Sequence, residues 1–166
     1  PTLDDLLETD VLDIHSALRV MGELAHALAA IHEQEVVHGA LGPSRIRLNP
    51  VCTRLQDTGL SPAARVASRF AIRRSLESDA YQAPELLEGQ PPTPRSDVYS
   101  LCACLLAALT GDSPAGDEDD EVDLDGAFED IGPDFPEWAK DLLSRGLSTS
   151  PSARPSDGGE LSALFL

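Results

Sequence analysis

The sequence predicts a mainly α-helical fold with short β hairpins, gathered around one buried helix at about residues 97–110. Three observations carry this. From Leu101 to Leu109 nine residues run without a charge, and a helix that is apolar all round belongs in a core or a membrane. From Ile14 to His32 apolar residues return as Leu18, Met21, Leu24/Ala25, Leu28 and Ile31, the spacing of one helix face. Between 36 and 56 only short extended pieces occur: Val36-Val37-His38, Ile46-Arg47-Leu48 and Thr53-Arg54-Leu55-Gln56. Gly42-Pro43 and Asn49-Pro50 punctuate them, which suits small hairpins rather than a large sheet.

The uncharged run is well short of the roughly 18–20 residues that cross a bilayer, so it reads as a core helix. Ser96 is its N-cap candidate, Asp97 suits the positive end of the helix dipole, and Gly111 stands where the chain turns out. A chain of 166 residues is expected to form one domain over 1–166, long enough to bury about 70% of its unfolded surface. No leader peptide and no membrane span are read in this segment. From the opening on Pro1 the chain is expected to be a piece cut from a longer protein.

The first element is a short helix over 2–8, with Thr2 as cap, Asp5 closing a capping box, and Leu3, Leu6 and Leu7 on one face. His15, His26 and His32 share no face that would gather a metal, and are read as exposed or partly buried. Residues 61–94 are irregular apart from 64–76. There Arg65, Arg69 and Arg73 recur every fourth residue beside Val66 and Phe70, either a solvated helix face or a site for an acidic partner. Residues 112–134 carry eleven acids and no base, and are expected to form a flexible, self-repelling loop. Within it Glu121-x-Asp123-x-Asp125-Gly126 is similar to a calcium loop, but Gly132 stands where the twelfth-position glutamate belongs, so no calcium is expected. A helix at about 136–147, a turn at Ser150-Pro151 and a helix near 157–166 close the chain.

The net charge of −17 argues against nucleic acid as a partner, although residues 36–76 hold seven arginines against one acid, Asp57. Cys102 and Cys104 lie two apart on the central helix, hence about 200° apart around it, too divergent for one metal or one disulfide. With Cys52 they read as core thiols of a protein kept in a reducing, cytoplasmic setting.

In this order the pieces resemble the C-terminal lobe of the eukaryotic-type serine/threonine protein kinases. His38-Gly39-Ala40-Leu41-Gly42-Pro43-Ser44-Arg45-Ile46-Arg47-Leu48 lies over the pattern His-Arg-Asp-Leu-Lys-Pro-x-Asn-Ile-Leu-Leu of the catalytic loop. Asp57-Thr58-Gly59 falls on the metal-binding Asp-Phe-Gly. Tyr81-Gln82-Ala83-Pro84-Glu85 reads as the Ala-Pro-Glu end of the activation segment. Ser96-Asp97-Val98-Tyr99-Ser100-Leu101 matches the start of the lobe's central helix, and Ser150-Pro151-Ser152-Ala153-Arg154-Pro155 the segment whose arginine pairs with the Ala-Pro-Glu glutamate. The resemblance begins at the helix after the hinge, so it implies a C-lobe without its N-lobe.

The departures fall on the chemistry. Phosphoryl transfer in this family is mostly positioning and charge neutralisation. The proton-accepting aspartate is replaced by Ala40, the loop lysine by Gly42 and the metal-binding asparagine by Arg45, while His38 and Asp57 remain. The resemblance therefore implies a degenerate, inactive module, not an enzyme, with no cofactor and no metal. Its expected role is a protein-binding scaffold or regulator. The alternative is the C-lobe of a kinase whose N-lobe lies upstream and which still binds nucleotide. Asp97, Glu85 and Arg154 are implied as structural residues: Asp97 holding backbone amides of the His38 loop, Glu85 and Arg154 forming a buried pair. The partner expected is a protein or a second copy, with neither nucleic acid nor membrane. Candidate contacts are Arg65, Arg69, Arg73 and Arg74, together with the apolar surface an N-lobe would cover: Leu3, Leu6 and Leu7, with Ile46, Leu48 and Leu55.

Overall fold

Fourteen consecutive buried residues, Ser96 to Leu109, form the axis on which the other elements pack. A computed structural model describes residues 1–49, 51–56, 80–114 and 122–166. Asp57 and the arginine stretch Arg65, Arg69, Arg73 and Arg74 lie outside the described residues. The elements in chain order are α1 (Leu3–Leu7), α2 (Ile14–His32), a 3₁₀ turn (Pro43–Arg45), β1 (Ile46–Arg47), β2 (Arg54–Leu55), α3 (Pro84–Leu87), α4 (Pro94–Thr110), α5 (Leu124–Ile131), α6 (Glu137–Gly146), a second 3₁₀ turn (Pro151–Ala153) and α7 (Gly158–Ala163). Among the described residues the fold is thus mainly helical with one two-stranded antiparallel sheet, in which Ile46 faces Leu55 and Arg47 faces Arg54.

The central helix α4 starts three residues before the predicted position. Thr93, not Ser96, is its N-cap. The Thr93 hydroxyl accepts from the Ser96 amide and the Ser96 hydroxyl accepts from the Thr93 amide at 2.9 Å, with Pro94 fixing the first turn between them. Ser96 is therefore the third residue of a capping box, and proline at the first helical position costs no hydrogen bond. At the other end Gly111 takes φ 82°, the left-handed conformation that lets the chain leave the helix.

α2 is capped by Asp13, which accepts from the Ser16 amide at 3.0 Å. Its buried face is Ala17, Val20, Met21, Leu24, Ala25 and Leu28, so Leu18 and Ile31 flank the core rather than enter it. α1 has the predicted capping box between Thr2 and Asp5. Thr2 also bridges to Arg47, which ties the chain start to the hairpin.

Two further readings change. Part of the acidic run 112–134, taken as a flexible loop, is helical: Asp123 caps α5 by accepting from the Gly126 amide at 3.1 Å. Leu124, Ala127, Phe128 and Ile131 recur at helical spacing and pack on the core. Apolar contact there outweighs like-charge repulsion, and acids in the first turn suit the helix dipole. Second, Leu3 and Ile46 are not open surface. They are 2% and 0% exposed and belong to the core, while Leu6, Leu7, Leu48 and Leu55 are partly buried against it. Among the described residues no helix is long and apolar enough to cross a membrane.

Candidate functional site

The residues that resemble a catalytic loop hang from one carboxylate. Asp97 lies in the first turn of α4 and is 1% exposed. Its Oδ2 accepts from the His38 amide at 2.7 Å and its Oδ1 from the Gly39 amide at 2.8 Å. Gly39 has φ 73°, a backbone conformation that a side chain would strain. That turn aims two successive N–H groups at the carboxylate.

His38 is buried and its ring points back into the hairpin. Its Nε2 lies 2.8 Å from the Gln56 carbonyl oxygen, and its Nδ1 accepts from the Ala40 amide at 3.4 Å. A carbonyl only accepts and an amide N–H only donates, so the ring carries its proton on Nε2. The Gln56 amide in turn donates to the Arg45 carbonyl at 2.8 Å, closing the hairpin behind the loop.

Ala40 brings a methyl group where a proton acceptor would stand. Gly42 has extended backbone, φ −170°, and a Cβ built there meets nothing within 4 Å. No steric demand keeps position 42 a glycine. Arg45 ends the 3₁₀ turn and is half-buried. The structure thus ties His38 to Asp97 and Ala40 to His38, with Gly42 and Arg45 following in the same loop and its 3₁₀ turn. Asp57, Arg65, Arg69, Arg73 and Arg74 lie outside the described residues. Among the described residues no group of three or more His, Cys, Asp or Glu side chains could hold a metal ion.

A second cluster fixes α3 to the closing segments. Arg154, 2% exposed, makes a two-pronged pair with Glu85: Nη1 to Oε1 at 2.7 Å and Nη2 to Oε2 at 2.9 Å. Its Nε donates to the Ser148 carbonyl at 2.8 Å, and its guanidinium lies 4.8 Å from the centre of the Tyr99 ring. Arg95 answers from α4 by donating to the carbonyls of Pro151 and Arg154 at 3.0 and 2.7 Å. Burial by itself pushes the Glu85 carboxyl up. The hydrogen bonds and charge of Arg154, helped by the Glu85 amide, outweigh it and hold the group below the usual range. Burial raises the Tyr99 phenol, which Arg154 partly opposes.

Two residues of these networks had no signal in the sequence. His32, read as exposed or partly buried, places Nε2 at 3.1 Å from Asp97 Oδ2 and accepts from the Gly158 amide on Nδ1 at 2.9 Å. Arg95 belongs to none of the motifs that carry the resemblance. The partners of His32 lie 65 and 126 positions away, out of reach of any periodicity.

Comparison with known proteins completes the description. Residues 2–164 match the model of the protein kinase domain. The chain is 31% identical over 168 residues to a serine/threonine-protein kinase, drp72, of Corynebacterium efficiens, covering 96% of this chain and 32% of that one. It is 42% identical over 103 residues to serine/threonine-protein kinase PknK of Mycobacterium tuberculosis, covering 60% of this chain and 9% of the relative. Serine/threonine-protein kinase mos of Patiria pectinifera is 32% identical over 154 residues, covering 85% of this chain and 44% of the relative. The chain therefore spans less than half the length of these relatives.

These names correct the expectation that the chain is not an enzyme. The proteins it resembles are named as kinases, so the family it points to is a catalytic one. The side chains at 40, 42 and 45 describe one loop. They do not by themselves define the chemistry of the family.

Proposed function

Because this chain belongs to the protein kinase family, we propose that it is the large-lobe part of a serine/threonine protein kinase-like protein. Its own task is to bind another protein, substrate or regulator, on a rigid helical frame. The observation that supports this most directly is the hold of Asp97 on the His38 and Gly39 amides. It sets the loop in one place, and catalysis in this family is largely positioning. With a methyl group at position 40, the acceptor of a substrate proton in the full-length protein would be another group than side chain 40. The pair of Glu85 with Arg154 and Arg95 keeps the opposite end of the frame fixed.

The partner proposed is a protein with an acidic surface or a second copy of this chain. The net charge of −17 and the arginines at Arg65, Arg69, Arg73 and Arg74 support it, since such a split favours charge-steered association. The setting proposed is the cytoplasm, supported by three cysteines that are all unpaired.

Two measurements test this. In the full-length protein, transfer of the γ-phosphate to a serine- or threonine-bearing substrate should fall about tenfold or more with Asp97→Asn, which leaves one loop amide without its charged acceptor. Transfer undiminished by that change would overturn the role given to the frame. For the partner, Arg69, Arg73 and Arg74 are changed together to Glu and association is followed by light scattering across salt. It should already be weak at low salt, and wild-type association should fade as the screening length drops from about 10 Å to about 3 Å. Association left intact by the triple change at low salt would overturn the charge-steered reading.

A further inference from the structure

His32 is the last residue of α2, and its side chain is 4% exposed. Its two ring nitrogens meet groups from two different elements, far apart in the chain. Nδ1 lies 2.9 Å from the Gly158 amide nitrogen, at the start of α7, and Nε2 lies 3.1 Å from Asp97 Oδ2. A backbone N–H can only donate, so Nδ1 is the bare nitrogen and the ring proton sits on Nε2, donated to Asp97. Asp97 passes the connection on to the amides of His38 and Gly39. One continuous chain of hydrogen bonds thus runs from the first turn of α7 to the loop.

We propose that His32 is a proton-sensitive tether between α7 and the 38–40 loop: a proton added at Nδ1 sets two N–H donors against each other, releases the Gly158 amide and loosens the first turn of α7, while the link to Asp97 holds. Histidine is the side chain whose charge ordinarily changes between about pH 5 and 8. Release at Gly158 has a mechanical consequence, because the start of α7 lies flush on α2. A Cβ on Gly158 would come within 2.5 Å of the Leu28 carbonyl carbon. Once the amide is repelled, no slack remains for it to shift in place.

The groups around the ring are few. From α4 the carboxylate of Asp97 faces it at Nε2. From the loop, His38 is occupied by Gln56 and Ala40. From α7, the Asp157 carboxylate caps the Glu160 amide, and Glu160 is taken by the Ser156 amide and Arg145. On α2 itself, His26 Nδ1 lies 3.2 Å from the Ser162 hydroxyl, a second contact with α7. A hydroxyl can turn from donor to acceptor, so a proton on His26 leaves that bond in place. The Gly158 amide has no such freedom.

The test is NMR on the ¹⁵N-labelled chain at about pH 7.5 and about pH 5.5, with wild type, His32→Gln and His26→Gln. Amide-exchange protection factors are read at Gly158 and Gly39, and ring ¹⁵N shifts at His32. In wild type and in His26→Gln, protection at Gly158 should fall about tenfold on acidification, while that at Gly39 changes by less than about twofold. In His32→Gln, which has no proton to gain, the Gly158 response should disappear. The ring shifts need no variant: they should show one bare nitrogen at the higher pH and two protonated nitrogens at the lower. Three results would overturn the tether: no proton uptake by His32 down to the lower pH, unchanged wild-type protection at Gly158, or the same loss of protection in His32→Gln.

Discussion

Arg154→Ala tests the packing argument most directly. The change removes a guanidinium that is 2% exposed and leaves Glu85, 7% exposed, without its counter-charge. Breaking a buried pair by removing one partner typically costs about 3–5 kcal/mol, because an uncompensated charge stays behind. The Ser148 carbonyl also loses its donor at 2.8 Å, and the Arg95 and Thr149 carbonyls lose longer bonds at 3.3 and 3.4 Å. A hydrogen bond contributes about 0.5–1.5 kcal/mol net, so the loss should reach about 4–6 kcal/mol, a large share of the stability of an ordinary domain. Urea unfolding of wild type, Arg154→Ala, Glu85→Leu and the double change Glu85→Leu/Arg154→Met measures it. The double change should be far milder than Arg154→Ala, since no charge is left buried. The pH dependence has a definite sign. Glu85 is held below its ordinary range in the folded state, so the pair's stabilisation is complete above about pH 4.3 and is lost as pH falls through the lower folded value. That acid limb should shrink in Glu85→Leu. A loss under about 1 kcal/mol for Arg154→Ala would refute the reasoning, because so small a cost belongs to exposed pairs.

Three further outcomes follow from single positions. Gly158→Ala should destabilise the chain by about 1–3 kcal/mol through overpacking, since its Cβ would press on Leu28 and Ala29; a thermal melt checks this. Gly42→Lys should leave the melting temperature within about 2 °C, because the backbone there is extended and a Cβ meets nothing within 4 Å. In native protein at about pH 8 a thiol reagent should modify Cys52, which is partly exposed, and spare the two buried cysteines until denaturant is added. Burial pushes the Cys102 thiol up to about 12, slightly relieved by Arg154, and pushes Cys104 well up, with Cys102 adding to the effect. Mass spectrometry counts the labels.

What the sequence determined by itself was local in origin. The uncharged run 101–109 could only be a core helix, because no face was left for water. The capping box of Thr2 and Asp5 and the left-handed exit at Gly111 are local chemistry, resolved within three or four residues. The start of α4 slipped for the same reason. Thr93 and Ser96 are both capping residues, and only the formed helix decides which one leads. Within the acidic run the apolar period Leu124, Ala127, Phe128 and Ile131 decides the structure over the charge. The family resemblance named Asp97, Glu85 and Arg154, but naming a residue gives neither distance nor burial. Tertiary structure alone decided that Leu3 and Ile46 are sealed in the core. It alone brought His32 between Asp97 and Gly158, across separations of 65 and 126 positions. Periodicity reports which face of an element is apolar. The residue that meets it from the far end of the chain is fixed only when the elements pack.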